Sequence, residues 1–121
     1  DYKVKWTYNA RGWRETEERE GKTTTYTYDT KGYLKSKHKP NGVTLNYIYD
    51  ALGRLKRLQS SDNTVHYTYT YDVHGNPRVI EDHVQHIKQE RTYDKLDRLT
   101  SETLHSGVTL TYAYVHNNPF L

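Results

Sequence analysis

The sequence has no cysteine, no methionine, a single phenylalanine (Phe120) and only three prolines in 121 residues. Without cysteine there is no disulfide framework, and the redox compartment cannot be inferred from the chain. Hydrophobic residues make up only 33% and mean hydropathy is -1.10, which leaves an ordinary globular core scarce. No apolar run approaches the roughly 20 residues needed to cross a bilayer as a helix, and no signal-peptide pattern is visible. Neither sign of charge dominates: 18 Lys and Arg against 15 Asp and Glu leave a formal charge of +3. That balance is too small for a dominant nucleic-acid footprint. It also argues against the disorder that low hydropathy otherwise suggests, because the tyrosines and threonines present are strand formers placed in register.

Tyrosine is what the chain has in quantity, with 13 copies. A tyrosine buries large amphipathic area while keeping a wet hydroxyl. Six of them, Tyr8, Tyr28, Tyr49, Tyr71, Tyr93 and Tyr114, recur at intervals of 20, 21, 22, 22 and 21 residues. The fourth residue after each is Gly12, Gly32, Gly53, Gly75, Asp97 and Asn118. A period near twenty sustained over five steps describes an array of small identical units. Function in such an array belongs to the surface it builds.

Ahead of each anchoring tyrosine the pattern alternates with period two. Val43, Leu45, Tyr47 and Tyr49 share one face, and Thr44, Asn46 and Ile48 take the other. Tyr2, Val4, Trp6, Tyr8, then Val65, Tyr67, Tyr69, Tyr71, and Val108, Leu110, Tyr112, Tyr114 repeat the parity. Such alternation predicts strands with one packed face. Unit five departs from it, because Gln89 and Arg91 put polar groups on that face.

The four residues that follow predict a type I turn, with Asp first and Gly fourth. The structural turn residues are Asn9, Gly12, Asp29, Gly32, Asp50, Gly53, Asp72, Gly75, Asp94 and Asp97. A second strand begins just after the turn, marked by Leu34, Leu55 and Leu99, with Pro77 in that place in unit four. The parity mismatch of Leu55 with Leu58, and of Leu99 with Leu104, predicts a bulge or a loss of order there. Second turns fall at Glu20-Gly21, Asn41-Gly42, Asp62-Asn63 and Ser106-Gly107, whereas near Val84-Gln85 no glycine marks the connection. Each unit is thus one hairpin, and no segment carries a helical stripe.

The units, above all YIYDALGRLKRL from Tyr47 to Leu58, closely resemble the YD repeats of Rhs proteins, which also occur in insecticidal toxin-complex shell subunits and teneurins. The resemblance implies hairpins wound into a β-sheet spiral that closes into a hollow shell. It also implies a secreted or cell-surface protein whose shell encloses a C-terminal toxin or effector domain. TYAYVHNNPFL is similar to the approach to the end of the Rhs core, where a DPxG-type motif follows. This sequence starts at Asp1 and stops at Leu121 before such a motif, so a piece of something longer is expected, without cargo or cleavage machinery.

Other chemistries are weaker. Asp29, Asp50, Asp72 and Asp94 are spaced one per hairpin, roughly 9–10 Å apart, too far to share a Ca²⁺ whose ligands lie at about 2.3–2.6 Å. Asp82, His83 and His86 form the one close metal-like group, on no helix, and surface histidines are the plainer reading. Lys35, Lys37, His38, Lys39 and Arg54, Lys56, Arg57 are balanced by Glu15, Glu17, Glu18 and Glu20.

The expectation is therefore an all-β, curved antiparallel meander of hairpins over residues 1–121, about five and a half units. Its packed-face ladder is Tyr8, Tyr26, Tyr28, Tyr47, Tyr49, Tyr69, Tyr71, Tyr93, Tyr112 and Tyr114. The expected function is structural and not enzymatic, with no catalytic residue, metal or cofactor. Expected partners are the remaining repeats, the enclosed effector, and a second copy through the outer strands, with no nucleic acid. The alternative is a carbohydrate- or cell-surface-binding module in which Tyr47, Tyr67 and Tyr69 stack on sugar rings. Eleven strands at about 4.8 Å make a wall only about 50 Å wide, so this length cannot enclose a protein alone.

Overall fold

Strand-forming tyrosines and threonines alternate along the chain, and every described element of the computed structural model is a β-strand. The structure describes residues 3–115. In chain order the strands are β1 (Val4–Tyr8), β2 (Arg14–Arg19), β3 (Lys22–Tyr28), β4 (Leu34–His38), β5 (Thr44–Tyr49) and β6 (Leu55–Ser60). They continue as β7 (His66–Tyr71), β8 (Pro77–Asp82), β9 (Ile87–Tyr93), β10 (Leu99–Thr103) and β11 (Thr109–Thr111). All eleven form one open antiparallel sheet in sequential order, the hairpin meander that the repeat implies.

Each hairpin closes on its Tyr-Asp turn. In unit two the Gly32 N–H donates to the Asp29 carbonyl (3.1 Å) and the Asp29 N–H to the Tyr33 carbonyl (3.0 Å). Gly12, Gly32, Gly53 and Gly75 take φ between 80 and 92°, and Asp97 takes the same left-handed conformation at 63°. Asn118 lies outside the described residues.

The bulge expected from the leucine parity is present in all five hairpins, one residue into the second strand. Ile48 pairs with Arg57 and Tyr49 with Leu55, which skips Lys56 and places Leu55 and Leu58 on the same face. Equivalent skips fall at Glu15, Lys35, Arg78 and Thr100. Pro77, which has no N–H to give, opens β8 opposite Tyr71.

At the other rim the connections differ. Glu20 and Gly21 both have positive φ (50° and 79°), as a two-residue I′ hairpin turn requires. Two connections lack glycine: between β6 and β7 Asn63 takes the left-handed place (φ 61°), and from Asp82 to Ile87 His86 does so (φ 57°). The Asp82 carboxylate accepts the N–H groups of Val84 (3.0 Å) and Gln85 (3.1 Å), holding this turn.

The two faces separate by chemistry. Cross-strand pairs such as Tyr47–Leu58, Leu58–Tyr67 and Tyr69–Ile80 build the aromatic face. The other face is hydroxylic: Thr7 meets Thr16 at 2.5 Å, Thr27 meets Ser36 at 2.5 Å, and His38 meets Thr44 at 2.7 Å. With no second layer, no described hydrophobic side chain is fully buried, and Ser60 alone drops to 3% exposure. The packed face is therefore half-covered, each ring shielded by its neighbours. The expected ladder fails at its ends, where Tyr8 is 57% exposed and Tyr112 and Tyr114 are also exposed, because fewer strands flank them.

Candidate functional site

The recurring construction lies where one unit meets the next. It begins with the turn carboxylate. Asp50 Oδ1 accepts the N–H of Leu52 and of Arg54, both at 2.9 Å, and Oδ2 accepts Arg54 Nε at 2.8 Å. Asp94 repeats this with Leu96 and Arg98, Asp72 with His74 and Asn76, Asp29 with Lys31 and Tyr33, and Asn9 with Arg11 and Trp13. The backbone N–H of the fourth residue, above all, lowers the pKa of Asp50, Asp72 and Asp94, against a smaller opposing cost of burial. These carboxylates face their own backbone.

The bulge leaves a problem for the following strand. Toward the Tyr-Asp rim each inter-unit ladder stops short: β4 and β5 pair from His38–Thr44 only as far as Ser36–Asn46. The carbonyl at the start of β4 is then without a ladder donor, and an unpaired backbone carbonyl is costly unless something else meets it. The next anchoring tyrosine supplies the donor. Tyr49 OH donates to the Leu34 carbonyl at 2.7 Å. Tyr28 does the same to Arg14 (2.6 Å), Tyr71 to Leu55 (2.5 Å), Tyr93 to Pro77 (2.6 Å) and Tyr114 to Leu99 (2.7 Å). All five described joints are clasped in this way. The ring spans the gap and the hydroxyl closes it.

A second residue fills the space beside four of the five clasps. It is the one directly after the fourth turn residue (a glycine, or Asp97 in unit five), and it lies against the next unit's anchoring tyrosine. Trp13 contacts Tyr28 with ring centroids 5.3 Å apart, and Tyr33 contacts Tyr49 at 5.2 Å. The Arg54 guanidinium lies 4.7 Å from the centre of Tyr71, and that of Arg98 lies 4.5 Å from the centre of Tyr114. Aromatic and cation–π contacts of this kind add roughly 0.5–1.5 kcal/mol beyond area burial. Where the filler is a ring it also covers the next unit's turn glycine: a Cβ at Gly53 would come within 2.8 Å of Tyr33 Cζ, and one at Gly32 within 3.0 Å of Trp13 Cζ2, whereas one at Gly75, in the Arg54 joint, would meet nothing within 4 Å.

A sequence model of the teneurin YD-shell family matches residues 2–67, which is more than half of the chain. The chain belongs to the teneurin YD-shell family. Among solved structures it is similar to a Tc holotoxin pore of Photorhabdus luminescens carrying a mutation in TccC3, with a TM-score of 0.59 and 20% identity. That match covers 84% of this chain and 7% of the other, so the YD-shell fold is shared while this chain spans a small part of the neighbour's length. A TcdB2–TccC3 crystal structure is matched at 20% identity over the same shares, with a TM-score of 0.45. No curated protein matches the chain. As a YD-shell segment the chain is a structural module, and the clasp shows how its units hold together.

Unit five keeps the YD-shell clasp and changes the filler. Asn76 holds the filler position, and Asp97 replaces the glycine it would cover. Asn76 Nδ2 donates to Asp97 Oδ1 at 2.8 Å and to Asp72 Oδ2 at 3.2 Å, while His74 Nδ1 lies 2.8 Å from Asp97 Oδ1. Hydrogen bonding to Asp97, then its charge, raises the His74 pKa above the ordinary 6.5. The polar residues of β9 gather around one carboxylate: Gln89 Nε2 donates to Glu102 Oε1 (3.0 Å), Arg91 Nε lies 3.2 Å from the same oxygen as an ion pair without hydrogen-bond geometry, and Tyr112 OH donates to Glu102 Oε2 (3.0 Å). An ion cluster stands there in place of apolar packing.

The tyrosines expected to meet glycans are not gathered into one site. Tyr47 lines a cleft of about 340 Å³ with Tyr33, Lys35 and Tyr49. Tyr67 and Tyr69 stack on one another, 6.4 Å between centroids. His83 packs on His66 (4.5 Å) and bonds Thr68 through Nε2 (2.8 Å), and among the described residues no three His, Cys, Asp or Glu gather around a metal position. Sequence reasoning missed the filler position. Its signal was a column of planar side chains after the fourth turn residue, Trp13, Tyr33, Arg54, Asn76 and Arg98.

Proposed function

We propose that this chain is one wall segment of a hollow YD-repeat container whose parent protein encloses and delivers a C-terminal toxin or effector domain, outside the cell that makes it. The repeated clasp, a tyrosine hydroxyl on the preceding unit's carbonyl in each of the five described joints, carries this reading. A wall must continue from unit to unit without a core on either side, and the clasp stabilises each junction locally. Residues 1–121 act as a single repeat array in this reading. The role is mechanical, not enzymatic, and the partners are the neighbouring repeats and the cargo.

The test is protease protection in the full-length parent. A domain following the strip is expected to resist a protease that digests it when expressed free, and Tyr49→Phe with Tyr71→Phe is expected to shorten that protection. A cargo cut equally fast in both settings would sink the container reading and leave the strip architecture untouched.

A further inference from the structure

The turn aspartates differ at one oxygen. In units three, four and five the filler side chain reaches back to its own turn. Arg54 Nε donates to Asp50 Oδ2 and Arg98 Nε to Asp94 Oδ2, both at 2.8 Å, and Asn76 Nδ2 donates to Asp72 Oδ2 at 3.2 Å. In unit two the filler is Tyr33, whose ring lies against Tyr49 and whose hydroxyl oxygen sits over Gly53, so it returns no donor. Asp29 Oδ1 accepts the N–H groups of Lys31 and Tyr33, both at 2.9 Å, and Asp29 Oδ2 accepts none from the described residues. Asp29 lines the cleft of about 340 Å³ between units two and three with Lys31, Tyr33, Lys35, Tyr47 and Tyr49. Among the described residues the ammonium groups of Lys31 and Lys35 have no hydrogen-bond or ion-pair partner, and the hydroxyls of Tyr33 and Tyr47 have none either. The adjacent joints differ. Between units one and two the bulge residue is Glu15 and Arg11 is tied to the Thr30 carbonyl at 3.0 Å, and between units three and four Arg54 occupies Asp50.

The open groups select a ligand by their signs. Two cations ask for one anionic group, and a carboxylate oxygen flanked by phenol hydroxyls asks for several O–H donors. Tyrosine rings offer flat apolar surface beside them. A neutral ring leaves both ammonium groups unmatched. A phosphate or an aromatic acid sets negative charge beside Asp29 and gives its free oxygen no donor, which weakens binding. We propose that this cleft binds a sugar ring bearing a carboxylate, of the uronic-acid kind. The sugar carboxylate meets Lys31 and Lys35, ring hydroxyls meet Asp29 Oδ2 and the Tyr33 and Tyr47 hydroxyls, and a C–H face lies on tyrosine. The cleft volume stands at the small end of the roughly 300–1,000 Å³ of ligand sites, so it takes one ring and not a chain. The contacts are open to solvent and salt-screened, so affinity is weak, about 1–10 mM. Of the three tyrosines expected to stack on sugars, Tyr47 alone belongs to this site.

The other units supply variants that keep the fold. Asn9 Oδ1 accepts the same two N–H groups in unit one, at 2.9 and 3.0 Å, so Asp29→Asn preserves the turn and replaces the open acceptor. Thr100 holds the bulge place in unit five, so Lys35→Thr preserves the bulge and removes a cation. Lys56→Thr makes the same change one hairpin away, outside the cleft. Amide chemical shifts of the 121-residue chain, titrated with methyl glucuronide at low salt, are expected to move saturably at Lys31, Tyr33 and Tyr47. Lys35→Thr and Asp29→Asn should each weaken binding at least about fivefold, and Lys56→Thr should change it less than about twofold. Methyl glucoside, which lacks the carboxylate, should bind at least about tenfold more weakly. Tighter binding of methyl glucuronide than of free glucuronate assigns the ligand to a glycan end, and the reverse order assigns it to a free sugar acid. Equal binding of glucoside and glucuronide would overturn the proposal, as would benzoate or inorganic phosphate binding as tightly as the glucuronide. A Lys56→Thr loss equal to that of Lys35→Thr would reduce the effect to general charge attraction and overturn it too. So would the absence of any saturable shift at roughly 50 mM glucuronide.

Discussion

The joint between units two and three and the joint between units four and five use one clasp and opposite fillers. In the first, Tyr49 is clasped to Leu34 and the Tyr33 ring lies over Gly53. In the second, Tyr93 is clasped to Pro77, and Asn76 and His74 converge on Asp97. The constant part is the bond between a hydroxyl and a carbonyl that the bulge leaves without a ladder donor. The variable part is matched locally: a ring needs the glycine beneath it, and an amide needs a carboxylate. The turn residue of one unit and the filler of the preceding unit therefore form a pair, although about twenty positions separate them.

The strongest challenge to that pairing is to move the carboxylate. Gly53→Asp puts a side chain where the Tyr33 ring lies and asks a non-glycine residue to hold a φ of 80°. The expected loss is about 2–3 kcal/mol in denaturant unfolding, from overpacking and left-handed strain together. Adding Tyr33→Asn should recover about 1 kcal/mol by recreating the arrangement of Asn76 with Asp97. Strictly additive effects would show that filler and turn residue are independent. Asp97→Gly, by contrast, relieves strain while removing two hydrogen bonds and should change stability little.

The clasp itself comes next in size. Tyr49→Phe and Tyr93→Phe each remove one hydroxyl and leave a carbonyl without its donor, at a cost of about 1–2 kcal/mol. The two losses should agree within about 0.5 kcal/mol, because the sites are far apart and the clasp does not depend on the filler. Hydrogen exchange at Ser36 and Val79, close to the clasped carbonyls, would read each joint separately. A loss confined to the Tyr49 joint would mean that the aromatic filler, and not the hydroxyl, holds units together.

Much of this construction was legible because it is local. Strand parity, the Asp and Gly of the turn, and the bulge signalled by Leu55 and Leu58 all lie within a dozen residues of one another. The left-handed His86 was not legible, because a histidine reports no backbone preference as clear as that of glycine. Nor was the clasp. Tyr49 reads as a packing residue from its parity, and its hydrogen bond depends on where the β4–β5 ladder stops, which only the assembled bulge determines. Gln89 and Arg91 looked like a break in the packed face, since their contacts with Glu102 depend on the β9–β10 register.

The smallest expected effect separates the two joints by pH. Hydrogen bonding to Asp97 and the Asp97 charge raise the His74 pKa, with Asp72 adding to it, while Asn76 and His74 lower the pKa of Asp97. A raised histidine contributes stability that is fully present below its unfolded value of 6.5 and lost as pH rises through its folded value. A lowered carboxylate contributes stability above its unfolded value of 3.8, lost as pH falls through its folded value. The polar joint is therefore tightest between those two limits and loosens toward alkaline pH, whereas the Tyr33–Tyr49 joint has no such group. Amide exchange around Asp97, corrected for intrinsic rates, should quicken from pH 6 to pH 8 while exchange around Gly53 holds steady, and His74→Gln should remove the difference. The effect is modest because both groups are largely exposed. Equal pH responses at the two joints would show that the histidine is a bystander and that the amide of Asn76 alone replaces the ring.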